Sequence, residues 1–407
     1  FAIASLLGGF AQNPEQLIIF RGLQGLGGAL LAPSALSLVL TIFKEGHERN
    51  KALGIWSMVA AGGGAVGLLL GGILTQYVDW RWIFFINVPV AIGIVLAALK
   101  YVPVAKPQDK AKVDFMGAIS ITGSLIALVY AMAMAPDQGW GSFDVLGTLA
   151  LSALLMAAFI VNELKVRHPL IKLGIFKRRN VSGGTLMNVL MMASMFGMFF
   201  YLSIFLQGIL GYSPTKTGAA NIAFTITIMI VAGILSKKIA NINPKPILVL
   251  APLLSVAGLL FFARVPIDAQ YWTDIFPGII LMATGMAAMF VVVTVVTTNG
   301  VSHQESGLVS GLLNTSQQVG GAIGLAVLTV ISTAATKSKL VESGGDPASM
   351  PSALLYGFHQ AFITSIIFAI GASVVALVVI KAQKPTKKDL KDETEHEAEA
   401  MPAAPGI

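Results

Sequence analysis

A single cation stands inside an apolar run near the start of the chain, in LIIFRGLQGLGGALLAPSAL. Arg21 sits about six residues into that run, or about 9 Å deep at 1.5 Å of rise per residue. A charge at that depth is expensive and marks function by default. The bland alternative is an arginine that snorkels to the boundary. The face decides between them. Arg21, Gln24, Gly25, Gly28 and Ala32 share one side of a helix, and it is the small, polar side. Such a stripe faces other helices rather than lipid, so Arg21 is read as functional.

Glycine marks two further helices. In KALGIWSMVAAGGGAVGLLLGGILTQY, Gly63, Gly67 and Gly71 fall at i, i+4 and i+8 on one face. A stripe of this kind lets a second backbone approach closely, as small-xxx-small faces do in membranes. It serves either as close packing or as a surface on which two halves rock. The pattern GGAVGLLL at 63–70 returns as GGAIGLAV at 320–327, with Gly320, Gly321 and Gly324. Two such helices at matching places suggest a duplicated bundle.

Uncharged polar residues punctuate the second half, among them Asn188, Asn221, Asn314, Gln317 and His359. Helix-to-helix hydrogen bonding is the ordinary role of such residues, and substrate contact is the sharper one. Met187, Met191, Met192, Met195 and Met198, with Phe196, Phe199 and Phe200, either pack or line an adaptable apolar pocket.

Several chemistries are missing. There are no cysteines, hence no disulfide framework and no thiol nucleophile. The histidines are scattered and suggest no metal site. No GxxxxGK[ST] loop is present, so the chain is not its own ATPase. No Asp or Glu lies in the middle of an apolar run; Asp114, Asp144 and Glu163 stand at the ends of theirs. The reading is of no enzyme and no cofactor.

The elements that carry these residues are membrane helices. Of 407 residues 55% are hydrophobic and 12% charged, against about 25% charged in a soluble domain. Mean hydropathy is +0.79. Apolar runs near the ~20 residues needed to cross a bilayer recur throughout, and strand periodicity is absent. The fold class is an all-α integral membrane protein. Twelve spans are expected, at 1–12 (partial), 15–43, 51–77, 82–101, 114–135, 145–164, 181–206, 214–236, 246–264, 273–299, 307–335 and 353–381. The first is too short to cross, which suggests that the chain begins within a helix. Lys and Arg concentrate on one side, in the links after 43, 101, 164, 236 and 380. That side is read as cytoplasmic. The net charge of +7 follows from this topology and does not imply nucleic acid. The basic link 165–180 is read as a topogenic loop or a short interfacial helix, and the charged, Ala/Pro-rich residues after Lys384 as a disordered cytoplasmic tail. Trp80, Arg81 and Trp82 read as an interfacial anchor, and Pro89 as a bend in the helix that follows.

Together these motifs resemble the major facilitator superfamily, and within it the 14-span drug:proton antiporters of the EmrB/QacA type. Arg21, Gln24, Gly25, Gly27, Gly28 and Ala29 are similar to the family's fourth helix. Gly54, Gly63, Gly67, Gly71 and Gly72 match every glycine of its antiporter signature on the fifth, with Leu68 in place of the signature's proline. Trp80–Phe84 with Ile86–Pro89, Leu210–Pro214 and Gly311–Gly324 resemble three further family segments. The resemblance implies that the spans here are the third to fourteenth, with two preceding Phe1 and the family's proton-linked Asp among them. It implies a division into an N-terminal bundle (1–101), a two-helix insert with a basic loop (102–180), a C-terminal six-helix bundle (181–383) and a tail (384–407). The implied function is proton-coupled efflux of amphipathic small molecules across the cell membrane by alternating access, with protons, substrate and lipid as partners and accessory export subunits unspecified. Arg21, Gln24, Gly25 and Gly28 would tune the proton site, and the two glycine helices would form the moving interface. Asn188, Met195, Phe199, Asn221, Asn314, Gln317 and His359 are the candidate cavity. A dedicated exporter of one metabolite or peptide, and a non-transporting sensor of the same fold, are the alternatives.

Overall fold

The computed structural model describes residues 1–42, 63–64, 66–102, 114–239, 242–298 and 303–381. Every regular element among them is helical. The expected tail lies outside the described residues, as do Gly54 and most of the basic residues of the two links that follow 43 and 101. Nine helices among the described residues are long and apolar enough to cross a membrane. Of the other three expected spans, two fall on α1 and α2 and the third is described only in part. Two bodies are distinguished, one from Phe1–Lys110 and Tyr212–Ile226, the other from Ala111–Gly211 and Thr227–Pro385.

The first body holds α1 (Ala2–Gly9), α2 (Pro14–Ile42), α3 (Val66–Tyr77), α4 (Trp82–Phe85), α5 (Asn87–Tyr101) and the start of α9 (Pro214–Lys238). Asn13 starts α2: its Oδ1 accepts the Gln16 N–H at 2.9 Å, ahead of Pro14 and Glu15 in the first turn. The expected span at 82–101 runs through α4 and α5, with Ile86 between them still in the right-handed helical conformation. Pro89 lacks the N–H that would pair with the Phe85 carbonyl. One turn earlier, the Asn87 amide donates to the carbonyls of Ile83 at 3.0 Å and Phe84 at 3.3 Å. Arg81 anchors more than the interface: its guanidinium donates to the Ala11 carbonyl at 3.0 Å and stacks on Trp80 at 4.7 Å. The end of α1 is thereby fixed to the start of α4. Gly8 and Gly9 lie against the rings of Phe84 and Phe85.

The second body opens with α6 (Phe115–Gln138) and α7 (Phe143–Lys165), capped by Asp114 and Ser142. The two cross at Ser124 and Ser152, each hydroxyl donating to the other's backbone carbonyl at 2.8 Å. The basic link that follows contains a short 3₁₀ turn, Leu173–Lys177. Then come α8 (Arg179–Ile204), α10 (Pro244–Phe262), α11 (Phe276–Thr298), α12 (His303–Glu342) and α13 (Met350–Val378). Phe205, Phe262 and Phe362 fill the core between them. Glycines set the crossings. A Cβ on Gly258 would stand 2.6 Å from the Gly278 carbonyl oxygen, so α10 and α11 touch backbone to backbone. A Cβ on Gly320 would stand 2.8 Å from the Val189 Cα, and one on Gly324 would strike the backbone of Ala193, so α12 lies as close on α8.

The last carbonyls of α13 lack partners in their own helix. Lys245 Nζ reaches Ala376 O at 2.6 Å and Leu377 O at 2.9 Å, and Arg179 Nη2 reaches Val378 O at 2.8 Å. Three helix ends are stitched together on the basic side. At the opposite end of α12, Lys337 Nζ meets Asp137 Oδ1 of α6 at 2.8 Å. Large apolar side chains on the outer faces, such as Leu99, Phe143 and Ile367, stay exposed, as lipid-facing positions do.

Replacing Gly324 by Leu should lower the thermal midpoint of the detergent-purified protein by several degrees, because overpacking costs about 1–3 kcal/mol. Gly311→Leu, on the same helix with open space around it, should leave the midpoint unchanged. Equal midpoints for the two variants would contradict the α8–α12 packing.

Candidate functional site

Arg21 heads a polar chain. Its Nη1 donates to Gln24 Oε1 at 2.6 Å, and Gln24 Nε2 donates to Ser5 Oγ of α1 at 2.5 Å. Gln24 is 5% exposed and Ser5 fully buried. The guanidinium also lies 5.8 Å from the centroid of the Phe84 ring. Among the described residues no carboxylate pairs with Arg21. The charge is therefore held by an amide and an aromatic face, and remains available to an anion. Of the glycines beside it, Gly25 has open space around it and Gly28 only touches the Phe1 ring at 4.0 Å. The tight approach of α1 to α2 is at Gly27, where a Cβ would strike the Phe1 backbone. Sequence named Gly27 and Phe84 only as parts of larger motifs, and Ser5 not at all. Ser5 was visible as a hydroxyl among apolar neighbours; its pairing with Gln24 was not.

The first glycine helix makes its close contact one residue round from the expected face. Gly63, Gly67 and Gly71 have nothing within 4 Å of where a Cβ would stand. Gly72 does: Pro214 O lies 2.6 Å from that point, and Thr215 Cα 2.9 Å. From the other side, the Gly218 point lies 2.6 Å from Leu68 O. Gln76 Oε1 accepts the Thr215 N–H at 3.2 Å, capping an orphan donor at the start of α9. The contacting stripe is thus Leu68, Gly72 and Gln76, and it meets the first turns of α9. Gly54 lies outside the described residues.

The second glycine helix packs within its own body. Gly320 and Gly324 sit on the α8 backbone, and a Cβ on Gly321 would stand 2.8 Å from the Phe196 ring. Asn188, 1% exposed, clamps the same pair of helices, donating to Leu313 O and Ser316 Oγ, each at 2.9 Å. Met187, Met191 and Met198 are fully buried core. Met195 and Phe199 are half-buried, and Phe196 and Phe200 keep exposed surface. On α12, Asn314 is exposed and bonds only its own helix, at Ser310 O (3.3 Å), while Gln317 is half-buried one turn before Gly321. The contacts pair Asn188 with Leu313 and Ser316, Ala193 with Gly324 and Gly197 with Leu328, so the two helices run parallel; Asn314 and Gln317 lie level with Asn188, and Phe196 and Phe199 lie further along the same seam, past Gly321. His359 stands elsewhere, its Nε2 2.9 Å from Val265 O in the α10–α11 link. Asn221 belongs to the first body; its Nδ2 donates to Thr217 O at 2.9 Å and its buried Oδ1 has no partner. Among the described residues no three His, Asp or Glu side chains gather as metal ligands.

The family model of the Major Facilitator Superfamily matches residues 1–325. The puromycin resistance protein pur8 of Streptomyces alboniger is 36% identical over 409 residues, spanning 100% of this chain and 80% of the relative. The tetracenomycin C resistance and export protein of Streptomyces glaucescens is 34% identical over 81% of this chain and 61% of its own length. The fold is similar to that of a crystallised bacterial homolog of the human lysosomal transporter Spinster, inward-facing and occupied. The TM-score is 0.58 at 18% identity, over 93% of this chain and 79% of that one. The apolar helices, their glycine crossings and these relatives together show that the chain is a multi-span membrane transporter, not an enzyme, and belongs to the Major Facilitator Superfamily.

Proposed function

We propose that the chain exports amphipathic small molecules in exchange for protons, by alternating access, as a 14-span antiporter. One observation carries the coupling: the exposed Arg21 guanidinium is held by Gln24, itself anchored on the buried Ser5, with no carboxylate partner among the described residues. A cation so placed favours the ionised form of an acid brought near it, and so tunes proton release. The resemblance of α2 and α3 to the family's fourth and fifth helices supports the 14-span reading, in which the proton-carrying acid belongs to the first helix of fourteen. The basic side is cytoplasmic in this scheme. The regions 1–101 and 181–383 are the two halves, 102–180 the insert and 384–407 the tail.

The substrate surface in this reading is the open margin of the α8–α12 seam, with Asn314 and Gln317 toward its start and Met195, Phe196 and Phe199 further along it. Flexible thioethers and rings accommodate varied apolar bodies, and the amides orient polar ends. Asn188 supports that face from behind. His359 bonds the α10–α11 link and Asn221 keeps a buried Oδ1 without a partner; both stay candidate contacts in this reading. The relatives named for puromycin and for tetracenomycin C resistance favour a second reading, an exporter dedicated to one antibiotic-like compound.

The open space around Gly67 and Gly71 suits a helix face that closes only in another state of the cycle. Gly72 holds the present one.

Arg21→Ala should reach the membrane at normal levels yet abolish substrate-driven proton movement in proteoliposomes; wild-type rates in that variant would remove Arg21 from coupling. Gly67→Leu should fold and bind substrate but lose turnover, whereas Gly72→Leu should fail to accumulate, since its side chain meets the Pro214 backbone. Normal efflux by Gly67→Leu would reduce that stripe to packing.

A further inference from the structure

Two buried acids stand together at the basic-side ends of α6 and α7. Asp114 is 8% exposed and Glu163 is 5% exposed. Three of their four carboxylate oxygens have an N–H donor. Asp114 Oδ1 takes the Gly117 N–H at 2.8 Å, Asp114 Oδ2 the Asn162 amide at 2.5 Å, and Glu163 Oε2 the Ile171 N–H at 2.9 Å. Glu163 Oε1 is buried and has no hydrogen-bond partner. It faces its neighbour over a glycine: a Cβ on Gly117 would stand 2.6 Å from Asp114 Oδ2 and 2.8 Å from Glu163 Oε1. Both oxygens thus border the same small gap, which the missing side chain of Gly117 leaves open.

Two ionised carboxylates converging in a buried place repel each other, and a buried oxygen without a donor loses its hydration uncompensated. One hydrogen placed between them answers both problems. A metal ion fits less well, because it needs a shell of oxygen lone pairs and the pair is ringed by N–H groups. We propose that Asp114 and Glu163 form a proton-binding site, sharing one proton between Asp114 Oδ2 and Glu163 Oε1. Taking that proton from water changes the pair from two negative charges to one. Among the described residues, the charges flanking the pair in the chain are Lys165 on α7 and Arg167, His168 and Lys172 on the link, all exposed; Lys110 and Lys112, just before Asp114, lie outside the described residues. Neither α6 before Asp137 nor α12 between Glu305 and Lys337 brings another.

The site acts on the link. Glu163 holds the Ile171 backbone, and Ile171 packs with Ile175, Val181, Leu308, Val309 and Leu312. Releasing the proton sets two negative charges against each other beneath that anchor and loosens it. This site is distinct from Arg21 and does not rest on the proposed exchange mechanism.

Infrared spectra of the purified full chain in lipid nanodiscs test it. Asn and Gln at these positions keep the cap and the Ile171 contact, because an amide both donates and accepts. The wild type should show one protonated-carboxyl stretch that Asp114→Asn and Glu163→Gln each remove, and that fades in the wild type as pH rises. Trypsin cleavage at Arg167 and Lys172, taken relative to Glu163→Gln at each pH, should increase severalfold over the same range. Wild-type spectra and cleavage that match Glu163→Gln from about pH 5 to about pH 9 would overturn the proposal, leaving an ionised pair with water as the missing donor.

Discussion

The contact between α8 and α12 is the constraint from which the second body follows. In hydrocarbon no helix gains by hiding apolar surface from lipid, so association rests on close packing and on polar groups that lack another partner. Gly320 and Gly324 remove the bulk between the backbones, and Asn188 supplies the polar clamp across the same seam. Once this pair is set, Phe196 is pressed over Gly321 and the buried methionines of α8 have their environment. The candidate substrate face is the exposed margin of this seam. Packing and function therefore share residues, and the tight side limits how far the open side can vary.

The first body also has close glycine contacts, at Gly27, Gly72 and Gly218. To these it adds a few directed hydrogen bonds: Arg21 to Gln24 to Ser5, Arg81 to the end of α1, and Gln76 to the first turn of α9. With contacts confined to these points, the rest of a helix face can stay open. That leaves glycine faces such as Gly63–Gly67–Gly71 without neighbours in this conformation.

Helix existence was legible because hydropathy and length fix it in a bilayer. Which face of a helix makes contact was less so. The stripe at 63, 67 and 71 satisfies the same spacing rule as Leu68, Gly72 and Gln76, and only the position of α9 selects between them. The same holds at α2, where Gly27 rather than Gly25 meets the neighbouring backbone. Pro89 announced the loss of one backbone bond in its helix, but not that the Asn87 amide would donate to the carbonyls of Ile83 and Phe84 beside it. Asp114 and Glu163 are 49 positions apart in sequence and read as ordinary helix-end acids. Their convergence depends on Gly117 and on the pairing of α6 with α7, which no local pattern encodes.

At 40 residues, α12 is about 60 Å long at 1.5 Å per residue, roughly twice the hydrocarbon thickness of a bilayer. The α6–α7 pair and its link touch it near both ends, by Ile171 and Ile175 against Leu308, Val309 and Leu312, and by Asp137 to Lys337. A rod tied to a plank at two distant points acts as a splint. It resists independent swing, so a thickening or thinning membrane that tips α12 carries the α6–α7 pair with it.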